Sequence, residues 1–142
     1  HCLIEQPRYN MFERTPEDGL FKAMWEHGVG CICYSPLAQG ALTDKYLNGI
    51  PQGSRASRVG TTINDRYLSE EKLDQIRRLN EIAVSRNQSL AQMALAWVLR
   101  EKAVTSVLIG ASSVRQLENS VQCLDHLEFS ADELKAIDEI LK

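Results

Sequence analysis

The 142-residue chain reads as an α/β protein built on a parallel sheet, more specifically as the carboxyl-terminal portion of a (β/α)8 TIM barrel. Three observations predict this. Short apolar runs at 2–5, 29–34 and 104–109 alternate with helical patterns, the rhythm of βαβ units. The run at 104–109 turns through Gly110-Ala-Ser-Ser113 directly into a helix, as barrel strands do. Three such parallel strands leave two open edges, which a closed barrel of eight strands and about 250 residues would cover. The first residue is His1 rather than Met, and a strand begins almost at once, so further sequence is expected upstream.

Taken in order, Cys2 to Glu5 is the first expected strand, and it opens into Gln6-Pro-Arg-Tyr-Asn10. Thr15-Pro16-Glu17-Asp18 has the composition of a helix start: a capping threonine, a proline in the first turn, and acids at the positive end of the dipole. That helix carries Leu20, Phe21, Met24 and Trp25 and should end near His27-Gly28. Val29 to Tyr34 is the second strand, stopped by Pro36, which has no N–H for a ladder. Residues 47–67 are rich in Gly, Pro, Ser and Arg and follow neither period, so they read as a long functional loop. Ser69-Glu70-Glu71 opens a helix running to about Arg86. Ser89 and Gln92 have capping-box spacing before a helix whose Leu90, Met93, Ala94, Trp97 and Val98 form one apolar stripe, which is core packing. Val104 to Ile109 is the third strand, Ser113 and Gln116 repeat the capping-box spacing, and Ser130-Ala-Asp-Glu133 starts a last helix through Leu141.

Composition narrows the function. A formal charge of -3 and a pI near 5.6 exclude nucleic-acid binding through bulk charge. No apolar run approaches the roughly 18 residues of a membrane span. Cys2, Cys31, Cys33 and Cys123 show no metal-ligand spacing and read as reduced thiols, which favours a cytoplasmic location. The three histidines are scattered, so a metal site is not expected.

The chemistry concentrates where strands end. Tyr34 offers a flat ring, Ser35 a hydroxyl, and small Ala38 and Gly40 allow a ligand close to the backbone. The run Gly30-Cys-Ile-Cys-Tyr-Ser-Pro-Leu-Ala-Gln-Gly-Ala-Leu-Thr-Asp-Lys-Tyr46 resembles the seventh strand and following loop of the aldo-keto reductases, in the branch containing the potassium-channel β-subunits and their bacterial relatives. The resemblance extends over essentially the whole chain as strands six to eight, making 1–142 a portion of one barrel domain.

The resemblance implies an NADPH-dependent oxidoreductase that reduces an aldehyde or ketone. Gln6 would hydrogen-bond the nicotinamide carboxamide and Tyr34 would stack on the ring. Ser35, Pro36, Leu37, Ala38 and Gln39 would run along the pyrophosphate, and Lys45 would contact phosphate. Gly49-Ile-Pro-Gln-Gly-Ser-Arg55 matches the segment that folds over the dinucleotide, so residues 47–67 become a cofactor-covering loop and Arg55 a partner of the NADPH 2′-phosphate. Gly110, Ser112 and Gln116, at a helix start suited to an anion, would hold the adenosine end. A Glu-Asn pair that usually reaches adenine reads Asn119 and Ser120 here, a departure that weakens that contact. The family's Asp, Tyr, Lys and His lie on the first four strands, so this chain carries no catalytic residue; Tyr9, Tyr46 and Tyr67 do not match the tyrosine's motif.

Two other readings belong beside this one. The parent could be a non-catalytic, NADPH-binding redox-sensing subunit resembling the channel β-subunits, or the chain could be a free-standing inactive half barrel that self-associates. A homo-oligomer is compatible with each of the three.

Overall fold

The computed structural model describes residues 2–58 and 60–142; His1, on which the upstream expectation rested, and Val59 of the long loop lie outside the described residues. Three strands, β1 (Ile4–Glu5), β2 (Gly30–Cys33) and β3 (Ser106–Val107), form one sheet in the spatial order β1-β2-β3. Both pairings are parallel, with Ile4 opposite Gly30 and Ile32 opposite Ser106. Six α-helices flank it: α1 (Leu20–Glu26), α2 (Ile63–Tyr67), α3 (Glu70–Ser85), α4 (Leu90–Leu99), α5 (Val114–Val121) and α6 (Ala131–Leu141). The expected α/β architecture, a partial barrel of parallel strands with helices between them, is what the chain adopts.

The strands are shorter than the apolar runs that announced them. Hydrogen bonding nevertheless continues past their ends, from Gly30 N–H to the Leu3 carbonyl (2.9 Å) and from Leu108 N–H to the Cys33 carbonyl (2.8 Å). Pro7 interrupts β1 because it cannot donate, yet its carbonyl accepts from Tyr34 N–H at 3.0 Å, and an isolated parallel bridge pairs Arg8 with Tyr34.

The helix expected from Thr15 is split. Thr15–Glu17 forms a 3-10 turn with Pro16 in its first positions, and α1 starts afresh at Leu20. Gly19 between them has φ 117°, a left-handed conformation that breaks a right-handed helix and that glycine adopts without a Cβ penalty. Within the long loop, α2 was not expected; its Ile63 and Tyr67 are buried and anchor the segment.

The capping signals hold where they are local. Ser89–Gln92 and Ser130–Glu133 are complete capping boxes, and Ser69 accepts from Lys72 N–H. The α4 stripe widens into a nearly all-round buried helix, since Leu95 and Ala96 are buried with the predicted positions. The reason is that α3, α5, β3 and the 3-10 segment Gln122–Asp125 all pack on α4.

The two faces of the sheet differ. Cys31 and Cys33 are fully buried against the helical layer. Side chains alternate along a strand and paired positions of parallel neighbours share a face. The opposite face therefore carries Ile4, Gln6, Arg8, Ile32, Tyr34, Ser106 and Leu108. It is open, with Ile4 55% and Leu108 44% exposed.

Two polar devices hold the helical layer. Trp97, fully buried, stacks on Tyr9 with centroids 5.3 Å apart, and the Arg100 guanidinium lies 3.7 Å from its ring centroid. The Tyr9 hydroxyl donates to Glu17 at 2.6 Å and accepts from Arg100 at 3.1 Å. Arg14 bonds Glu17 and reaches Asp138 on α6. The second device centres on Arg86, only 4% exposed. Its Nε donates to Gln88 (2.8 Å), Nη1 to Glu133 (2.7 Å), and Nη2 to the Glu128 carbonyl (3.0 Å), while the guanidinium lies over Phe129.

These contacts predict acid sensitivity. Burial works to raise the Glu17 carboxyl, but the Arg14 and Tyr9 hydrogen bonds and the Arg14 and Arg100 charges outweigh it and hold it below the usual range. Burial is likewise outweighed at Glu133, by the Ser130 N–H and by Arg86. A carboxyl lowered in the folded state stabilises fully above its unfolded value of about 4.3, and that stability drains as pH falls through the folded value. The urea midpoint should hold level from pH 7 to about 5 and fall below that, and Glu17→Gln should flatten the fall. An equally steep fall in Glu17→Gln would reject this assignment.

Candidate functional site

In parallel α/β sheets, ligands meet the carboxyl ends of the strands, and here those ends carry Gln6 after β1, Tyr34 after β2 and Gly110 after β3. Gln6 follows β1 immediately and is exposed; Tyr34 follows β2 and is part-exposed. Both lie on the open face, on neighbouring strands, Tyr34 one bridge beyond the last ladder pair. One amide that can donate and accept is thus on the same face as one aromatic platform, diagonal to it across the strand pair, while Arg8 stands directly opposite Tyr34.

The chain after Tyr34 is strained. Ser35, Ala38 and Gln39 have φ of 54°, 47° and 60°, left-handed values unusual for residues with a Cβ. Fully buried Asn10 holds this turn, its Nδ2 donating to the Ser35 carbonyl at 2.9 Å while its Oδ1 accepts from Phe12 N–H at 2.9 Å. Pro36 and Ala38 are buried, so of this segment the part-buried Ser35, Leu37 and Gln39 side chains and the backbone are what a ligand could meet. Gln39 Nε2 also donates to Thr62 Oγ1 at 3.3 Å, which ties the end of the long loop back to the turn.

Lys45 and Arg55 are exposed, and among the described residues neither forms an ion pair. Gly110 and Ser112 are exposed between β3 and α5. Ser113 caps α5, but Gln116 does not close the box: its Oε1 turns to Ser112, accepting from that N–H at 2.9 Å and hydroxyl at 3.0 Å. Asn119 faces α4 instead of solvent, donating to Ser89 and accepting from Gln92. The departure at 119–120 thus serves packing at position 119.

A second group at the same edge went unread in the sequence. The Arg8 guanidinium lies 5.3 Å from the Tyr34 ring centroid. Arg8 Nη1 and Arg66 Nη1 both approach Glu13 Oε1 at 3.7 Å, and the Tyr67 hydroxyl donates to the same oxygen at 3.0 Å. The only advance signal was Arg8 itself, inside the Gln6–Asn10 run, since Glu13 and Arg66 are far apart along the chain.

Nothing at this edge resembles a metal centre: among the described residues no three His, Cys, Asp or Glu side chains converge. Cys31 and Cys33 are free, with sulfurs 3.6 Å apart, and burial pushes both thiols up, away from the reactive thiolate. Among the described residues no helix is long and apolar enough to cross a membrane.

Three comparisons bear on this geometry. Residues 2–142 match the aldo/keto reductase family. The chain belongs to that family. It is 52% identical over 141 residues to an L-glyceraldehyde 3-phosphate reductase of Escherichia coli strain K12, covering 96% of this chain and 41% of the relative. It is 37% identical over 144 residues to a putative voltage-gated potassium channel subunit beta of Schizosaccharomyces pombe, covering 98% and 42%. Among solved structures, a glycerol dehydrogenase of Gluconobacter oxydans superposes with TM-score 0.78 at 25% identity, over 97% of this chain and 42% of that one. An aldo-keto reductase of Bacillus halodurans, in its holo form, gives TM-score 0.72 at 26% identity, over 99% and 43%. This aldo/keto reductase chain therefore spans about two fifths of the length of its relatives.

Proposed function

We propose that this chain holds the dinucleotide in an NADP-dependent aldo-keto reductase that reduces a small aldehyde or ketone. The observation that carries the reading is that Gln6 and Tyr34 share the open face at the carboxyl ends of neighbouring strands. The donor set fits a polyanionic dinucleotide: a carboxamide partner, an aromatic platform, a turn with strained backbone, and two cations without ion pairs among the described residues. When bound, the nicotinamide supplies the hydride; the residues of this chain bind and orient it. Gln6 and Tyr34 position the nicotinamide. Ser35 to Gln39, Lys45, Gly110, Ser112 and Gln116 hold the phosphates and adenosine, and the 47–67 loop covers them. The family's acid–base residues are supplied by strands other than these three. Buried, free thiols suit a reducing cytoplasm.

Arg55 would recognise the 2′-phosphate that separates NADPH from NADH, and the test follows from that. Charge-assisted bonds to phosphate are each worth about 1.5–3 kcal/mol, so Arg55→Ala in the intact reductase should raise the KM for NADPH roughly tenfold or more. The KM for NADH should move far less. Equal shifts for both would reject the assignment.

The relative described as a putative voltage-gated potassium channel subunit beta favours a second reading, in which the parent is a non-catalytic, NADPH-binding redox-sensing subunit. Steady reduction of small carbonyls with NADPH would favour the enzyme; cofactor binding with negligible turnover would favour the sensor.

A further inference from the structure

We propose that Arg8 sets which redox state of the nicotinamide this site prefers, favouring the neutral dihydronicotinamide of NADPH over the pyridinium of NADP+. The inference rests on the dinucleotide reading of Gln6 and Tyr34 and adds a specificity-determining residue to it. Arg8 is held directly opposite Tyr34 on the open face. Tyr34 N–H donates to the Pro7 carbonyl at 3.0 Å, and Tyr9 N–H donates to the Tyr34 carbonyl at 3.3 Å. These two backbone bonds flank Arg8, and its guanidinium lies over the Tyr34 ring, 5.3 Å from the centroid.

The charge is poorly compensated. Among the described residues the Arg8 side chain donates no hydrogen bond, and its Nε is buried without a partner. The facing carboxylate is Glu13, whose Oε1 is 3.7 Å from Arg8 Nη1, beyond hydrogen-bond length. That oxygen is shared: Arg66 Nη1 stands at the same 3.7 Å, and the Tyr67 hydroxyl donates to it at 3.0 Å. Two guanidiniums against one carboxylate leave one positive charge in excess. Arg86 is the contrast, since its donors meet Gln88, Glu133 and the carbonyls of His126 and Glu128.

Two effects of the Arg8 charge have the same sign. The oxidised and reduced dinucleotides differ by one positive charge, and that charge resides on the nicotinamide. A cation beside Tyr34 repels a pyridinium stacked there and has no such quarrel with the neutral ring. At 5.3 Å from the platform it lies inside the Debye length of about 10 Å, so salt screens it only in part. The second effect acts through the tyrosine. An aromatic face attracts cations through its quadrupole, so Tyr34 alone would hold the pyridinium more tightly than the dihydropyridine. Arg8 already occupies that attraction. The site is thereby biased to take up the reduced cofactor and release the oxidised one, the direction of exchange between turnovers of a reductase.

The experiment is a pair of calorimetric titrations of the intact reductase, one with NADPH and one with NADP+, in about 0.1 M salt. In Arg8→Gln the ratio of Kd for NADP+ over Kd for NADPH should fall about three- to tenfold, with most of the change in NADP+. A tenfold fall corresponds to a drop of about 30 mV in the midpoint potential of the bound couple. Arg8→Lys keeps the charge and should stay within about twofold of the parent ratio. Glu13→Gln reads the same charge from its other side: removing the shared carboxylate should raise the ratio, and no rise counts against the assignment. An unchanged ratio in Arg8→Gln overturns it, as does an equal fall in Arg8→Lys, because shape rather than charge would then set the preference. If the ratio shifts as expected but no carbonyl is reduced, the reductase reading fails and the role of Arg8 stands. If carbonyls are reduced and the ratio does not move, the reductase reading stands and the role of Arg8 fails. If neither dinucleotide binds the unmodified protein, both are wrong.

Discussion

Replacing Arg86 with methionine should destabilise the protein by about 3 kcal/mol. The guanidinium is buried, and hydrogen bonds from a charged donor are worth about 1.5–3 kcal/mol each, although its partner Glu133 is only part-buried. Methionine keeps much of the stem volume, so the loss reports on the guanidinium. That group joins three parts of the chain: the turn after α3 through Gln88, the carbonyls of His126 and Glu128 before α6, and Glu133 in the first turn of α6. Without it, those acceptors lose their donor and Phe129 loses the cation on its face. Arg86→Lys should recover only part of the loss, since a single ammonium cannot reproduce a planar fork. The urea midpoint at pH 7 reads both variants. A loss below about 1 kcal/mol in Arg86→Met would place the clamp with ordinary surface ion pairs.

Trp97→Ala should cost about 3–5 kcal/mol, the usual penalty for truncating a buried tryptophan. Its ring is the shared surface of a stack that takes in Tyr9 and two guanidiniums, Arg14 and Arg100. Tyr9 in turn meets Phe21 edge-on, with centroids 4.8 Å apart. A cavity at Trp97 therefore loosens the Tyr9–Glu17–Arg100 hydrogen bonds as well as the apolar packing. Trp97→Phe should cost less, because a ring remains and the indole N–H, which has no partner among the described residues, is removed. Thermal unfolding followed by circular dichroism checks the series. A Trp97→Ala midpoint within error of the parent would contradict the buried stack; the same result at Trp25, 68% exposed, would be unremarkable.

What could be read in advance depended on how far apart along the chain the deciding groups lie. Caps are local, and Ser89–Gln92 and Ser130–Glu133 close as their three-residue spacing implies. At Ser113 the same spacing gives half a box, because Ser112 offers Gln116 an additional hydroxyl. Strand ends depend on partners, so three apolar runs overstated the ladders. The break at Gly19 was present in the sequence and masked by the stronger helix-start signal at Thr15-Pro16. Placement of Gln6 and Tyr34 on one face follows from period two and parallel pairing. Arg86, Asn10 and the Arg8–Glu13–Arg66 group could not be read from the sequence, because their partners come from distant segments. Asn10 meets Ser35 across 25 residues, and Arg86 meets Glu133 across 47.

The alternation along β2 has an evolutionary consequence. Cys31 and Cys33 point into the packed layer, while Ile32 and Tyr34 share the open face with Gln6, Arg8 and Leu108. Under the proposed function, selection for folding and selection for ligand choice would act on interleaved, separate sets of positions. Substitutions on the open face leave undisturbed the cysteines that pack the helices. A lineage could explore new substrates at one parity of the strand while purifying selection preserves the other.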